Sequence, residues 1–423
     1  MSRQAKVIHA GVVLPMEGPP LFGGAVRLAR GRIEAVAPAS ALTPSPGEER
    51  LSLPGCVLLP GLVNAHSHLE LGWLAGRVPY AGSFAGWIAE LVRHMPPSPE
   101  DVVSSVEEGA RLLLRGGVTC AGDITATGGS AAPLCRAGIR AVAFREVLGL
   151  PPARVAEACA TAGAWLEAFP TPAGENTVGE EGNLPRVTPG LSPHAPYSTA
   201  AEVFLRAVEL ARGVGVPLAT HLSESLDEVE FVASGSGPFA RLLEARGIPL
   251  DAWKPAGVSP IRYLADLGVL SCRGALAHVN YLLPGDLELL AAGSMVPVYC
   301  PGSHRFFRHP PHPAAAMLHA GIPVALGTDS LASNHHLNLL AEARLAWECV
   351  PGTSARDWVM AATTAGARAL GLEEVCGTLA PGKAADLVAV EPGEHAADPY
   401  AAVLSSGSRV RRVWIEGQEV WRG

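Results

Sequence analysis

Residues 60–70 read PGLVNAHSHLE. The apolar run at 56–63 predicts a buried strand, and this strand leads directly into His66 and His68. Side chains two positions apart on an extended strand point to the same side, so both imidazoles face the same way. Such a pair forms half of a site for a borderline metal such as zinc. The alternative is a pair of surface histidines in a loop. The metal site is favoured if the rest of the chain supplies the missing ligands.

After this stretch, candidate strands alternate with amphipathic helices. The first candidate strand ends at Asn64, and the next seven lie at 118–122, 139–146, 187–192, 216–221, 274–279, 295–300 and 322–327. Eight such units over about 300 residues predict an α/β fold, a (β/α)8 barrel of the TIM type.

Short strands separated by turns lie on both sides of this region. They are expected at 6–13, 24–29, 31–37 and 56–59, and again at 387–390 and 410–416. We therefore predict that residues 1–57 and 377–423 form one small β-sandwich domain, and that residues 58–376 form the barrel. A Gly/Pro/Glu-rich stretch at 171–185 is typical of a mobile surface loop, and 234–258 is a longer insertion after the fifth strand.

The bulk composition excludes several classes of protein. The 423 residues are 48% hydrophobic, and the formal net charge of −8 argues against a nucleic acid or an anionic membrane as partner. No apolar run approaches the ~20 residues that span a bilayer, and the N-terminus lacks a secretory pattern. The eight cysteines form no CxxC pair, which favours a reducing compartment. We expect a cytoplasmic protein with a small-molecule substrate, for which a homodimer is a possible assembly.

Chemically active side chains follow five of the eight predicted strands. They are His66 and His68 after the first, His194 after the fourth, His221 and Glu224 after the fifth, His278 after the sixth and Asp329 after the eighth. The carboxyl ends of barrel strands meet on one face, where barrel enzymes place their sites. Any one of these histidines could be structural. A structural role for all of them, however, poorly explains why such side chains follow five strands whose carboxyl ends meet on one face of the barrel.

The motifs around these residues resemble the amidohydrolase superfamily. They are PGLVNAHSH, SPHAPYS, HLSES, AHVNYL and LGTDSLASN, followed by GTLAPGKAADLVAV, which is similar to that superfamily's return to its β domain. HxxE after the fifth strand and TDSxASN after the eighth resemble the aminohydrolase branch. That branch contains deaminases of cytosine, guanine, S-adenosylhomocysteine and aminodeoxyfutalosine, and the triazine hydrolases. The resemblance covers residues 5–420 and is more specific for the branch than for a substrate.

The resemblance implies a metal held by His66, His68, His221 and Asp329. Three imidazoles and one carboxylate leave room for water, as a catalytic site requires. Binuclear relatives bridge two metals with a carboxylated lysine, whereas the only lysine of the barrel region is Lys254, in the insertion. We therefore expect one divalent metal per chain, zinc first and iron second.

The resemblance also implies three catalytic roles. Asp329 takes a proton from the attacking water, and His278 hydrogen-bonds the attacking oxygen. Glu224 protonates the ring nitrogen beside the attacked carbon and passes protons to the leaving amine. The alternative for Glu224 is a carboxylate that merely favours a helix N-terminus. Glu228 and Glu230 are expected to face solvent.

Substrate contacts are assigned on weaker patterns. The candidates are Arg145, Glu146, His194, His304 and Asn334. Arg145 and Glu146 are equally well explained as a buried ion pair. Phe84, Trp73 and Trp87 are either an aromatic wall for a planar base or ordinary core.

The expected activity is hydrolytic deamination of an amino-substituted N-heterocycle. The run SPIRYLADLGVL from Ser259 onwards is most similar to aminodeoxyfutalosine deaminases, which favours an adenine-bearing nucleoside. If the substrate carries a carboxylate, Arg145, Arg305 and Arg308 are candidate partners for it. The alternatives are a triazine-type chlorohydrolase and a deaminase of a free base such as guanine or cytosine.

Overall fold

The computed structural model describes residues 5–95, 97–169, 186–250, 254–393 and 396–423. The surface loop predicted at 171–185 lies outside these ranges. Among the described residues, no helix combines the length and apolar character that crossing a membrane requires.

Eight parallel strands of the described chain form the barrel sheet, in chain order. Numbered as barrel strands 1–8, they are Leu62–Ser67, Val118–Thr125, Arg140–Val147, Val187–Pro193, Leu218–Leu222, Gly274–His278, Val296–Tyr299 and Ala325–Leu326. The backbone N–H groups of Thr328 and Asp329 both donate to the carbonyl of His66, each at 3.1 Å, which joins the end of strand 8 to strand 1. The predicted barrel is confirmed.

Helices alternate with the barrel strands, and one further helix lies between two strands of the β domain. The α-helices are Phe84–Arg93, Pro99–Arg115, Ala131–Ala137, Pro152–Ala168, Ala201–Val214, Leu226–Ser234, Gly237–Ala245, Pro260–Asp266, Asp286–Ala292, Pro301–Phe306, Ala314–His319, Leu339–Cys349, Ala355–Met360, Gly366–Ala369 and Pro399–Leu404. Short 3₁₀ turns lie at Leu69–Leu74 and Val269–Ser271. At Pro99–Arg115 the sequence signal is direct, because Ser98 and Asp101 form a capping box.

The helical stretch from Ala355 to Ala369 contains a π-helical segment, Ala361–Ala365. The hydroxyl of Thr363 donates to the carbonyl of Val359 at 2.6 Å, and that of Thr364 donates to Met360 at 3.2 Å. Such bonds from a side chain to the preceding turn compete with the regular ladder and bend helices.

Both chain ends contribute strands to one continuous sheet, which confirms the predicted small β domain. Its strands are Lys6–Val13, Leu21–Phe22, Gly24–Ala29, Arg32–Pro38, Glu49–Pro60, Leu387–Glu391, Arg409–Ile415 and Gln418–Arg422. The long strand Glu49–Pro60 pairs in parallel with Lys6–Val13 and antiparallel with Leu387–Glu391.

A buried ion-pair network joins the β domain to the amino-terminal end of the barrel. Arg140, the first residue of barrel strand 3, lies 3.0 Å from Asp386 and 3.5 Å from Glu416. Arg186 reaches the second oxygen of Glu416 at 3.2 Å. The carboxyl ends of the strands, at the opposite end of the barrel, remain free to form a site.

Candidate active site

Three imidazoles from barrel strands 1 and 5 converge at the carboxyl end of the barrel. The Nε2 atoms of His68 and His221 lie 3.0 Å apart, and the nitrogens that His66, His68 and His221 can offer to a metal are all within 4.8 Å of one another. His66 Nε2 is buried and has no hydrogen-bond partner among the described residues. A buried, unpartnered nitrogen in such a cluster is a position that a metal ion would fill.

The histidines of this cluster favour their neutral forms. Burial, followed by the repulsion of neighbouring imidazoles, lowers the pKa of His66 and His68 well below the ordinary value. Burial also lowers the pKa of His221 to about 4. Metal ligation requires neutral imidazole, so the donor set fits a divalent cation.

Asp329 completes the donor set from the end of barrel strand 8. Its Oδ1 lies 3.8 Å from His66 Nε2. Burial alone would raise the pKa of Asp329, but the nearby imidazoles of His66 and His278 lower it below the usual range. The carboxylate is therefore ionised.

Hydroxyl and amide donors fix the orientation of the Asp329 carboxylate. Ser303 and Ser333 donate to Oδ2 at 2.6 Å and 2.7 Å, and the backbone N–H of Ser330 donates to Oδ1 at 2.8 Å. Asp329 also has a positive φ of 57°, as does His278 at 73°. Non-glycine residues adopt this region rarely, and strained backbone of this kind clusters at functional sites.

Glu224 and His278 form a second pair beside the histidine cluster. Glu224 Oε1 lies 3.4 Å from His278 Nε2. Burial, reinforced by the negative charge of Asp329 and Glu228, raises the pKa of Glu224 well above the ordinary value. A carboxyl group in this state can hold a proton near neutral pH and donate it.

The expectation that Glu228 faces solvent is wrong, whereas Glu230 is exposed as expected. Glu228 is fully buried and accepts hydrogen bonds from the backbone N–H groups of Ser223 and Glu224, each at 2.9 Å. The helix begins at Leu226, so a carboxylate in its first turn can reach back to the amides that precede the helix. Glu228 thus holds the segment that carries Glu224.

His194 and Glu146 extend the site across neighbouring strands. The ring centroids of His194 and His221 are 4.8 Å apart. His194 Nδ1 hydrogen-bonds Ser198 Oγ at 2.6 Å, and its Nε2 lies 3.9 Å from Glu146 Oε1. Burial lowers the pKa of His194 to about 4 and raises that of Glu146 to about 7.

These groups line one cavity with a polar end and an apolar wall. The space inside it, including solvent at its open mouth, is about 650 Å³. The polar lining comprises His68, Glu70, Glu146, His194, His221, Glu224, His278, Asp329 and Ser330. The helix Phe84–Arg93 contributes Phe84, Trp87, Ile88 and Leu91 to the apolar wall, which also includes Leu71, Met95, Ile124 and Ala126.

Several predicted substrate contacts lie away from this lining. Arg145 donates instead to the backbone carbonyls of Thr125 and Glu146, both at 3.2 Å, and to that of Ala126. Among the described residues, no arginine or lysine lines the cavity, so it includes none of the three arginines proposed as partners for a carboxylate.

Asn334 and His304 are also outside the cavity lining. Asn334 donates to the Thr328 carbonyl at 2.9 Å and to Glu342 Oε1 at 2.7 Å. The ring of His304 packs edge-on against Tyr299, with centroids 5.5 Å apart. Trp73, the third aromatic candidate, is absent from the lining too.

Two acidic residues near the site were not among the predicted residues. Glu70 accepts from the backbone N–H groups of Ala126 and Thr127 at 3.0 Å and 3.1 Å, and from the hydroxyls of Thr125 and Thr127. Asp123 accepts from the Leu69 N–H at 2.8 Å, and burial raises its pKa to about 7. An acid shortly after HSH and another near the end of the second strand were signals available in the sequence.

Comparison with known proteins agrees with this architecture. The amidohydrolase family pattern matches residues 57–420, and the chain belongs to that family. It is 31% identical over 395 residues to a 5-methylthioadenosine/S-adenosylhomocysteine deaminase of Moorella thermoacetica, covering 90% of this chain and 84% of that protein. It is 32% identical over 339 residues to an aminodeoxyfutalosine deaminase of Deinococcus radiodurans, covering 78% and 76%.

A solved adenosine deaminase of Xanthomonas campestris with bound zinc superposes with a TM-score of 0.80 at 27% identity, covering 98% of this chain and 92% of that one. These matches confirm the resemblance to metal-dependent aminohydrolases. The protein is a hydrolase of C–N bonds, an aminohydrolase.

Proposed function

We propose that this protein is a metal-dependent deaminase of an adenine-bearing nucleoside. In this proposal His66, His68, His221 and Asp329 hold one divalent ion, zinc first and iron second. The neutral imidazoles and the unpartnered His66 Nε2 support the ligand set. The names of the sequence relatives support a nucleoside as the substrate.

The observation that carries the proposal is the buried pair of Glu224 and His278 beside the histidine cluster. When bound, a divalent metal supplies Lewis acidity and lowers the pKa of water. Asp329 accepts a proton from the attacking water, and His278 hydrogen-bonds the attacking oxygen. Glu224 gives its proton to the ring nitrogen beside the attacked carbon. It then takes the remaining proton of the attacking oxygen and delivers it to the exocyclic nitrogen, so that a C=O bond forms as the C–N bond breaks and ammonia leaves. The proton held by Asp329 then returns to Glu224.

The apolar wall contributes in two ways. Phe84 and Trp87 offer flat surface to a planar heterocycle. Their side chains also keep water away from Glu224, which maintains the raised pKa on which its proton donation depends.

Aminodeoxyfutalosine, 5-methylthioadenosine and S-adenosylhomocysteine are the leading substrates. Among the described residues no arginine or lysine lines the cavity, so the lining does not favour a substrate that carries a carboxylate. The substrates to be compared therefore include both neutral nucleosides and nucleosides with a carboxylate. The alternatives, a free-base deaminase and a triazine-type chlorohydrolase, use a similar polar site.

The test is kcat/KM for ammonia release from these nucleosides, adenosine, adenine, guanine and cytosine, with chloride release from a chlorotriazine measured in parallel. We expect a nucleoside to be the best substrate. Preference for a free base would overturn the nucleoside assignment, and chloride release without ammonia release would overturn the deaminase.

A further inference from the structure

The backbone carbonyl of His278 is bonded by a histidine that the proposed chemistry does not use. Nε2 of His312 lies 2.9 Å from this oxygen. The other ring nitrogen, Nδ1, accepts a hydrogen bond from the backbone N–H of Ala314 at 3.1 Å. A neutral imidazole has one donor nitrogen and one acceptor nitrogen, so the two contacts fix the tautomer of His312 with its proton on Nε2. Burial keeps the ring neutral, because it lowers the pKa of His312 to about 3.

This contact holds one end of the peptide group that joins His278 to Val279. The other end is held by strand 5, because the N–H of Val279 donates to the carbonyl of Leu222 at 2.9 Å. A peptide group is planar, so bonds at its two ends fix the direction of the backbone on both sides of it. Both residues have a positive φ, 73° at His278 and 50° at Val279. Such a conformation is rare outside glycine, and it persists only where the surrounding structure holds it.

The held conformation determines where the His278 side chain points. His278 is the last residue of barrel strand 6. Its ring centroid lies 5.3 Å from that of His66, and its Nε2 lies 3.4 Å from Glu224 Oε1. Rotation of φ moves the side chain together with the following peptide group. A return of His278 to an extended backbone would therefore displace its imidazole from both neighbours.

His312 is itself firmly placed. Its ring stacks on that of Tyr299 at the end of barrel strand 7, with centroids 4.0 Å apart and an interplanar angle of 21°. The residue is buried, and Ala314, to which Nδ1 is bonded, begins the helix Ala314–His319. The ring can therefore transmit the position of strand 7 and its loop to the end of strand 6.

We propose that His312 is a positioning residue, whose Nε2–H holds the peptide group after His278 in the strained conformation that directs the His278 imidazole toward the reacting atoms. The inference rests on the proposed deaminase activity, in which His278 hydrogen-bonds the attacking oxygen. It deepens that proposal because it assigns the orientation of this imidazole to a residue outside the cavity lining.

The experiment separates the hydrogen-bond donor from the ring by three substitutions at one position. His312→Phe keeps an aromatic ring against Tyr299 and loses both hydrogen bonds. His312→Asn can still accept from Ala314 but is too short to reach His278, whereas the amide nitrogen of His312→Gln can take the place of Nε2. His319→Gln, at an exposed position on the following helix, is the control.

The rates are measured as ammonia release from the best substrate of the wild type. His312→Phe and His312→Asn should lower kcat about ten- to a hundredfold, because a small displacement of a catalytic group has an effect of this size. KM should change little, since His312 does not line the cavity. His312→Gln should recover most of the rate, and His319→Gln should match the wild type. Metal content and the thermal midpoint check that each variant is folded.

Two further measurements test whether the effect passes through His278. In a His278→Ala background, His312→Phe should cause little further loss of kcat, because the side chain to be positioned is already absent. A further loss as large as that in the wild-type background would overturn the inference. In the crystal structure of His312→Phe, the His278–Val279 peptide group should have left its wild-type orientation, and an unchanged peptide group would also overturn it.

The outcomes distinguish this inference from the proposed function. If the wild type releases ammonia and His312→Phe has the same kcat, the positioning role is overturned and the deaminase stands. The same holds if His312→Gln is no more active than His312→Phe, since the donor would then be irrelevant. If the wild type releases ammonia from none of the substrates compared above, the proposed function fails, and the positioning role in that reaction fails with it.

Discussion

At the scale of single residues, Glu224 is the side chain whose surroundings most change its chemistry. Glu224→Gln has nearly the same shape but cannot shuttle protons, so we expect turnover to fall ~100-fold to 10,000-fold while bound metal is retained. Ammonia release and elemental analysis on the same preparation measure the two effects. Glu230→Gln, an exposed position on the next helix, should behave as wild type. Near-normal activity of Glu224→Gln would contradict the proposed proton shuttle.

Asp329 carries a negative charge, accepts hydrogen bonds from three donors and has a strained backbone conformation. Asp329→Asn should lower both metal retention and activity, because the amide removes the charge that balances the cation and the proton acceptor together. Metal content after dialysis against a chelator is the direct measurement. Asp266→Asn, at an exposed position, is the matched control. Full metal retention in Asp329→Asn would refute its place among the ligands.

The sequence predicts the position of a site residue where the barrel fold determines that position. It does not predict the orientation of a side chain that depends on a local hydrogen bond. His66, His221 and Asp329 meet because they end strands of one barrel, a geometry that the order of strands dictates. The prediction for Glu228 was wrong because its long side chain turns toward backbone groups that spacing does not reveal. Arg145 also turns toward backbone carbonyls, and its contact with a substrate stays a prediction.

At the scale of elements, the helix Leu339–Cys349 is tied to the site loops by one buried carboxylate. Glu342 accepts from the Gly302 N–H and from the Asn334 amide, both at 2.7 Å, and burial raises its pKa to about 7. The folded state therefore binds more protons than the unfolded state between about pH 4.5 and 7. The contribution of Glu342 to the free energy of unfolding consequently falls as pH rises through this window.

We expect Glu342→Gln to lose this pH dependence. Relative to wild type, its free energy of unfolding should improve from pH 5 to pH 8 by up to about 3 kcal/mol. Denaturant unfolding at the two pH values measures the change, with exposed Glu348→Gln on the same helix as the control. The same offset from wild type at both pH values would show that Glu342 is ionised throughout.

Helices and strands were predicted best where the pattern of apolar residues in the sequence is long. All eight barrel strands were anticipated, although strand 8 is only Ala325–Leu326. Short helices such as Pro301–Phe306 were missed, because six residues carry too little periodicity. The π-helical segment depends on threonine side-chain bonds, which apolar spacing does not encode.

At the scale of the whole molecule, the network around Arg140 holds the two domains together. Asp386→Ala leaves this guanidinium buried with one partner fewer, so we expect a loss of about 3–5 kcal/mol in the free energy of unfolding. Glu391→Ala breaks an exposed pair with Arg411 and should cost no more than about 1 kcal/mol. Chemical denaturation compares them, and equal small losses would show that the domain junction does not depend on the charge.

The strand Glu49–Pro60 pairs with one strand close to it in sequence and with another far from it. The two pairings can therefore form only at different times during synthesis. Lys6–Val13 is available to it at once, whereas Leu387–Glu391 leaves the ribosome roughly 330 residues later. At about 5–20 residues per second this interval lasts about 16–66 s. Throughout that time one edge of Glu49–Pro60 is open to pairing with other nascent chains, since unpaired strand edges are templates for association. The barrel strands are synthesised earlier, so Leu387–Glu391 can pair with Glu49–Pro60 only after all eight of them have been made.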